Sequence, residues 1–356
     1  MHVSLSFVII AYNEARNIGR TLDAIAGLAG LGDYEVIVVD DGSRDGTPDI
    51  VRERAAGDPH IRLIALPRNR GRGYARGTGI AAAAGALIAT VDADIVLPGD
   101  WFTRAQAALG GHDAVGGTAV PDGDVAHVYQ ATRLTPRVVA HATTVTGSNA
   151  LYRRQVFDIV GFDPALRDGE DVALNQATAR HELSFQTVPG LLVEHIENKS
   201  FPQSLRWLFV SGRGATRQLL AYRQIRVPDL AAAVFVTGTA AGIAVAVTVS
   251  PLGLLIPAGL LLAISVQHVR SRFETPLREW LPVSAAVAVD SALLLAYFSG
   301  RVAGLTHLLR GRRQPSGALL HGGDDRAPLA GGGQGIPEQD DPVAASDQPV
   351  MKGDHR

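Results

Sequence analysis

The chain has 356 residues, enough for one large α/β domain with an appendage. Hydrophobic residues make up 46% of it and the mean hydropathy is +0.12, apolar for a purely soluble protein, so membrane segments are to be sought. The formal net charge of −2 gives no basic excess for nucleic acid, and the absence of cysteine excludes disulfides, thiolate metal sites and a cysteine nucleophile.

No signal-peptide pattern opens the chain, because Ser4–Ile10 already reads as a strand. From Ser4 to about Val120, short apolar runs (Ser6–Ile10, Tyr34–Val39, Ile61–Leu66, Ala86–Val91) alternate with helix-length segments (Glu14–Gly30, Pro48–Ala56, Gly71–Gly85). That alternation predicts a mostly parallel sheet flanked by helices, with ligands at the carboxyl ends of the strands. Pro121–Lys199 carries mixed signals with fewer clear strands, and the acceptor side of a site is expected there. Residues 1–200 are thus read as one catalytic domain.

Residues 201–228 read as an amphipathic helical region: Gln203–Arg226 is rich in arginine (206, 213, 217, 223, 226) and in Leu, Trp and Phe, as in a helix lying in the membrane interface. Residues 229–310 read as a transmembrane region. Leu230–Gln267 has no charged residue, and Pro251 and Gly253 near its middle favour a two-span hairpin over one long helix. Leu281–Gly300, interrupted by Asp290, either spans or lies in the interface. A cytoplasmic catalytic domain and a hairpin put Arg270, Arg272 and Arg278 inside, as the positive-inside rule prefers, whereas a third span would put Arg301, Arg310, Arg312 and Arg313 outside. The expected location is the cell (plasma) membrane, multi-pass. Residues 311–356, rich in Gly, Asp and Pro, read as disordered.

Three acidic clusters follow strand ends or precede a helix. Asp40-Asp41-Gly42-Ser43 follows the second strand, where a carboxylate can accept hydrogen bonds from a base or a ribose and Gly42 allows a sharp turn; a plain turn is the alternative. Asp92-Ala93-Asp94 offers hard oxygen ligands suited to Mg²⁺ or Mn²⁺ bridged to phosphates, or forms a solvated loop. Asp168-Gly169-Glu170-Asp171 precedes a helix expected over Val172–Arg180. A carboxylate there can take an acceptor's proton, or the cluster can serve as an acidic first turn.

The order of the motifs is more specific than any one of them. Phe7-Val8-Ile9-Ile10-Ala11-Tyr12-Asn13-Glu14 is followed by Val38-Val39-Asp40-Asp41-Gly42-Ser43-Arg44-Asp45-Gly46-Thr47, then Asn69-Arg70-Gly71 with Gly73 and Ala75, Asp92-Ala93-Asp94 and Gly169-Glu170-Asp171. Over residues 4–200 this resembles the family 2 glycosyltransferases of GT-A fold. The resemblance implies a Rossmann-like domain and inverting, single-displacement transfer from a nucleotide-diphosphate sugar. It places Asp41 on the nucleotide base, with Ala11, Tyr12 and Glu14 lining that pocket. Asp94 would ligate a divalent metal (Mg²⁺ or Mn²⁺), and Asp92 would contact the ribose or the metal's water shell. Asp171 would be the general base and Glu170 an acceptor-binding neighbour. Family members often carry Asn where this chain has Gly77, which puts one donor contact in doubt.

Gln203-Ser204-Leu205-Arg206-Trp207 matches the Gln-x-x-Arg-Trp pattern of processive synthases, in which the Trp stacks on the acceptor sugar; the alternative is that Trp207 anchors the interfacial helix. His195, after a strand-like Leu191–Val193, is a candidate further ligand to the metal or a phosphate. The expected acceptor is lipid-linked or a cell-envelope glycan bearing a hydroxyl, with transfer to a polyprenyl phosphate or processive synthesis as alternatives. A sugar-phosphate nucleotidyltransferase would need a glycine-rich basic loop where Ala11-Tyr12-Asn13-Glu14 stands. A degenerate scaffold of envelope assembly is the non-enzyme alternative.

Overall fold

The computed structural model describes residues 4–123, 135–136, 144–167, 169–197, 199–222, 225, 227–274 and 280–309. Asp168, Arg223, Arg226, Arg278 and the tail expected to be disordered lie outside them.

The first strand, β1 (Leu5–Ala11), is apolar at nearly every position and buried along its whole length, because both faces of the sheet are covered. Phe7 and Ile9 enter a core with Val36, Val38, Val91 and Trp101, while Val8 and Ile10 enter a second core with Ile37, Val39, Ile88 and Tyr152. Helix α1 (Ile18–Ala26) buries Ile18, Leu22 and Ile25 at helical spacing. It starts later than the expected Glu14 because Glu14–Asn17 is spent on a turn, Asn17 N–H donating to the Glu14 carbonyl at 2.9 Å.

Then come β2 (Tyr34–Asp40), α2 (Thr47–Gly57), β3 (Ile61–Ala65), α3 (Arg72–Ala82), β4 (Leu87–Asp92), β5 (Ile95–Val96) and α4 (Trp101–Leu109). The expected strands and helices of this half are all present within a few residues. The second half supplies β6 (Ala114–Asp122), β7 (Asn149–Arg153), α5 (Glu170–Thr178) and β8 (Phe185–Ile196). The eight strands form one sheet in the order β3-β2-β1-β4-β7-β6-β8-β5. β3, β2, β1 and β4 run parallel; β7 is antiparallel to β4 and β6, and β8 is parallel to β6 and antiparallel to β5. The sheet is therefore mixed, and the region expected to be poor in strands holds its longest one, 12 residues. Pro189-Gly190 in the middle of β8 masks it in the sequence.

Register positions the site. Ala11 lies opposite Asp40 and Ile10 opposite Asp92, so the acidic ends of β2 and β4 finish level on either side of β1. At about 4.8 Å per strand they stand about 10 Å apart.

Four helices follow: α6 (Phe201–Tyr222), α7 (Val227–Thr248), α8 (Leu255–Arg272, after a 3-10 turn over Pro251–Leu254) and α9 (Trp280–Leu309). Three segments, Val227–Thr248, Pro251–Ser271 and Val283–Thr306, are long and apolar enough to cross a membrane. The turn at Pro251 and Gly253 is where the hairpin was expected. The third segment is one continuous helix through Asp290, whose Oδ1 lies 2.7 Å from His268 Nδ1 on α8. Arg301 on α9 pairs with Asp229 in the first turn of α7. Asp290 and Arg301 are thus each matched by a residue of another helix, as charged groups in apolar helices generally are.

Candidate active site

Asp41 follows β2 and is almost fully buried. Its two carboxylate oxygens accept the N–H groups of Arg70 at 2.7 Å and Gly71 at 2.8 Å, which ties the loop before α3 to the end of β2. Burial pushes its pKa up, against those two N–H groups. Asp41, expected on a nucleotide base, is in this structure first an anchor of that loop. Gly42, with φ of +74°, makes the turn the sequence called for. Beside it Tyr12, Ser43, Arg44, Leu66, Arg68 and Asn69 line a cleft of about 200 Å³. Ala11 is buried at its base level in β1, and Glu14 stands on the side toward Asp94. Burial, then the Asp94 charge, raise the Glu14 pKa to about 7, opposed by a hydrogen bond from Asn17.

Asp94 follows β4, and its backbone carbonyl accepts the Ile196 N–H at 2.8 Å as β5 pairs with β8. That pairing brings His195 Nε2 to 3.0 Å from Asp94 Oδ2, and this hydrogen bond, ahead of the opposing burial, raises the histidine pKa. The Asp94 carboxylate is a hard oxygen ligand of the kind Mg²⁺ and Mn²⁺ take, and the hydrogen bond from His195 fixes its orientation. Among the described residues no group of three or more His, Asp or Glu could hold a metal. The arrangement therefore fits an ion completed by phosphate oxygens, as Mg²⁺ and Mn²⁺ commonly are, and not one caged by protein alone.

Arg76 on α3 was not singled out in the sequence, yet it organises the cleft. It is 1% exposed. Its Nη2 donates to Asp92 Oδ1 at 2.6 Å, its Nε to Glu170 Oε1 at 3.0 Å and its Nη1 to the Gly147 carbonyl at 2.7 Å. Against burial, Arg76 and then Arg72 hold the Asp92 carboxyl below its ordinary range. Burial instead pushes Glu170 up despite Arg76. Asp92 and Glu170, expected on ribose or metal water and on the acceptor, are thus both engaged by one guanidinium. The available signal was an arginine in the middle of a glycine- and alanine-rich helix.

Asp171 opens α5 beside Glu170. Its Oδ1 accepts the Val172 N–H at 2.8 Å and its Oδ2 faces the Gly147 N–H at 3.4 Å. Asn175, one turn on, clamps both backbone groups of Val145, donating to its carbonyl at 2.8 Å and accepting its N–H at 3.0 Å. Residues 145–147 therefore form a wall between α3 and α5, which the sequence did not reveal because nothing in Val145-Thr146-Gly147 marks it. Arg76 thus joins Asp92 to Glu170, the neighbour of Asp171; Asp94, two residues beyond Asp92, pairs with His195, and Asp41 holds the Gly71 N–H just before α3. Trp207 on α6 is 47% exposed, with the Lys199 ammonium 5.8 Å from its ring.

Residues 6–161 match the family model described as glycosyl transferase family 2. The chain is 37% identical over 190 residues to the succinoglycan biosynthesis protein ExoO of Rhizobium meliloti, covering 48% of this chain and 54% of that one. It is 32% identical to an undecaprenyl-phosphate 4-deoxy-4-formamido-L-arabinose transferase of Aeromonas hydrophila subsp. hydrophila, covering 43% of this chain and 50% of that one. The chain thus spans about half the length of these curated relatives. Among solved structures it is similar to the mannosyltransferase PcManGT from Pyrobaculum calidifontis, determined with GDP-Man and Mn²⁺, at 20% identity and a TM-score of 0.55, covering 86% of this chain and 88% of that one.

Proposed function

We propose that the chain is a family 2 glycosyltransferase, a reading supported by the match of residues 6–161 to that family's model, and that it transfers a sugar from a nucleotide-diphosphate sugar to an acceptor hydroxyl, on a lipid-linked or cell-envelope glycan. The observation that carries the reading is the Arg76 bridge, which ties the carboxylate next to the cation pair to the one next to the candidate base.

The nucleoside occupies the cleft lined by Tyr12, Ser43 and Asn69, with Asp41 at its edge. Asp94 and His195 hold a divalent cation, which when bound neutralises charge on the departing diphosphate. Asp171 accepts the acceptor's hydroxyl proton as its oxygen bonds to the anomeric carbon. The bond from that carbon to the diphosphate oxygen breaks, the electron pair leaves with the diphosphate, and attack from the opposite face inverts the configuration. Three helical segments from α7 on are long and apolar enough to cross a membrane, which supports a lipid-linked acceptor. Trp207, exposed on α6 beside Lys199, suits an interfacial anchor or an acceptor platform.

The test uses the full chain in nanodiscs, with thermal shifts against UDP-, GDP- and TDP-sugars, with and without Mn²⁺. One donor is expected to stabilise only with metal. Asp94→Ala should remove that metal dependence, and Asp171→Asn should keep the donor shift while transfer to a hydroxyl falls about 10²- to 10⁴-fold. Absence of any donor shift sinks the reading. Full activity of Asp171→Asn redirects it to a phosphate acceptor, which needs little base.

A further inference from the structure

The hairpin of α7 and α8 has a fixed antiparallel register. Gly238 has no room for a Cβ beside the Leu260 side chain, Gly242 meets Ile256 and Pro257, and Gly253 meets Ala246. Extended along the two helices, that register sets Val269 level with Asp229 and Ser265 level with Ala233.

Along α9, successive partners fall at one end of this hairpin. Ala286 and Val287 pack on Val269, Asp290 Oδ1 lies 2.7 Å from His268 Nδ1, and the Ser291 and Ser265 hydroxyls are 2.8 Å apart. Further on, Phe298 stacks on Phe235 with ring centroids 5.0 Å apart, and Arg301 pairs with Asp229. From Ala286 to Arg301 the helix advances about 22 Å at 1.5 Å per residue. Its partners meanwhile stay between the levels of Asp229 and Phe235, about 9 Å along the hairpin. A helix that crossed the membrane alongside α8 would leave Val269 and bring Arg301 to the Pro251–Leu254 turn at the other end. Arg301 instead stands at the level where α9 began, so α9 lies across the base of the hairpin.

Helix α6 lies in the same layer. It packs along the second half of α9 so closely that no Cβ fits at Gly300 beside the Phe209 carbonyl, or at Gly212 beside that of Tyr297. The Thr216 hydroxyl is 3.0 Å from the Arg301 carbonyl. Away from these contacts both helices are apolar and exposed, at Trp207 and Leu220 on α6 and at Leu295, Val302 and Leu305 on α9. Ala288, Leu295 and Val302 recur every two turns as one exposed stripe.

We propose that α9 is not a third span: α6 and α9 form a two-helix raft in the membrane interface on the side of the catalytic domain, and only the α7–α8 hairpin crosses. The partner of this surface is one bilayer leaflet, which receives the exposed apolar stripe while the opposite face of α9 rests on protein. Arg301 then stays on the same side as Arg270 and Arg272, as the positive-inside rule prefers. Asp290 and Arg301 sit at headgroup depth and not at the bilayer centre, where charge is costly.

The chain has no cysteine, so single cysteines report position without background. The full chain, in sealed membrane vesicles of one orientation, carries Ala56→Cys on α2, Leu252→Cys at the hairpin turn or Thr306→Cys near the end of α9, all exposed positions. A membrane-impermeant maleimide is added before or after the vesicles are opened. Ala56→Cys marks the catalytic side. Thr306→Cys is expected to label with Ala56→Cys, and Leu252→Cys from the opposite side only. Thr306→Cys labelling with Leu252→Cys, or only in detergent, overturns the raft. Leu252→Cys labelling with Ala56→Cys removes the spanning hairpin and overturns it too. A second measurement places a fluorophore on Leu295→Cys, near the middle of the apolar segment Val283–Thr306. In phosphatidylcholine vesicles, nitroxides near the headgroups are expected to quench it more than nitroxides deep in the acyl chains. Stronger quenching by the deep nitroxides overturns the proposal. The glycosyl-transfer reading stands or falls separately, on donor binding.

Discussion

Asp41 and Asp92 stand at the ends of β2 and β4, the parallel strands on either side of β1, and these three strands suffice to place them. Glu170, Asp171 and His195 reach the same cleft by another route. His195 meets Asp94 across 101 residues of chain, and Arg76 meets Glu170 across 94, whereas Asp41 anchors Arg70 across only 29. The parallel half builds its part of the site from local order. The mixed half contributes only once β5, β7 and β8 have closed on it. A polar group placed by local order tolerates change around it, while one placed by closure depends on the contact that closes it.

The largest expected effect comes from breaking that closure at Arg76. Arg76→Met removes a guanidinium from two carboxylates and leaves Asp92 and Glu170 buried without compensation. The expected loss of stability is about 3–5 kcal/mol, read as a fall in the thermal midpoint. Adding Glu170→Gln to the same chain should recover part of it, because one uncompensated charge is then gone. A fall of less than about 1 kcal/mol would mean that the two halves hold together without this bridge.

A smaller effect is expected where the halves touch by backbone alone. A Cβ at Gly73 would stand 2.0 Å from the Asp163 carbonyl oxygen and 2.8 Å from that of Leu166, and neither is a flexible side chain. Gly73→Ala should therefore cost about 1–3 kcal/mol by pushing the 163–167 loop off α3. Gly77, on the same helix, would place its Cβ 3.9 Å from the Phe162 carbonyl, an ordinary contact, which makes Gly77→Ala the matched control. Equal midpoints for the two variants would remove the backbone contact from the account.

The same division explains what could be read in advance. The alternation from Ser4 to Val120 gave the strands and helices of the parallel half because each follows from a local pattern, and the acidic groups after β2 and β4 follow from strand ends. Glu170 and Asp171 were legible as the start of a helix. Arg76 was not, because its meaning lies in partners 16 and 94 residues away. Of β8 only the strand-like Leu191–Val193 was legible, because Pro189-Gly190 interrupts the strand, and its pairing with β5 is what puts His195 against Asp94. In the helical region the charge-free run and its proline turn were plain. The continuity of α9 was obscured by Asp290, whose partner His268 sits on another helix.

Glu14 is the place where the local half also senses the distant one, since its carboxyl responds to Asp94 and, in the opposite direction, to Lys199. Its pKa is raised from 4.5 to about 7, chiefly by burial. A carboxyl with a folded-state value above the unfolded one binds more protons when folded, so stability falls as pH rises from about 4.5 to about 7 and then levels. Glu14→Gln keeps an oxygen to accept from Asn17 and cannot ionise. The variant should match the parent near pH 4 and exceed it near pH 8, by about 1–2 kcal/mol after allowing for partial solvent screening. Thermal midpoints taken across that range check it. A gain that is the same at both ends would show that Glu14 acts by packing. A gain that vanishes in Asp94→Ala at pH 8 would show that the Asp94 charge, more than burial, holds the Glu14 carboxyl up.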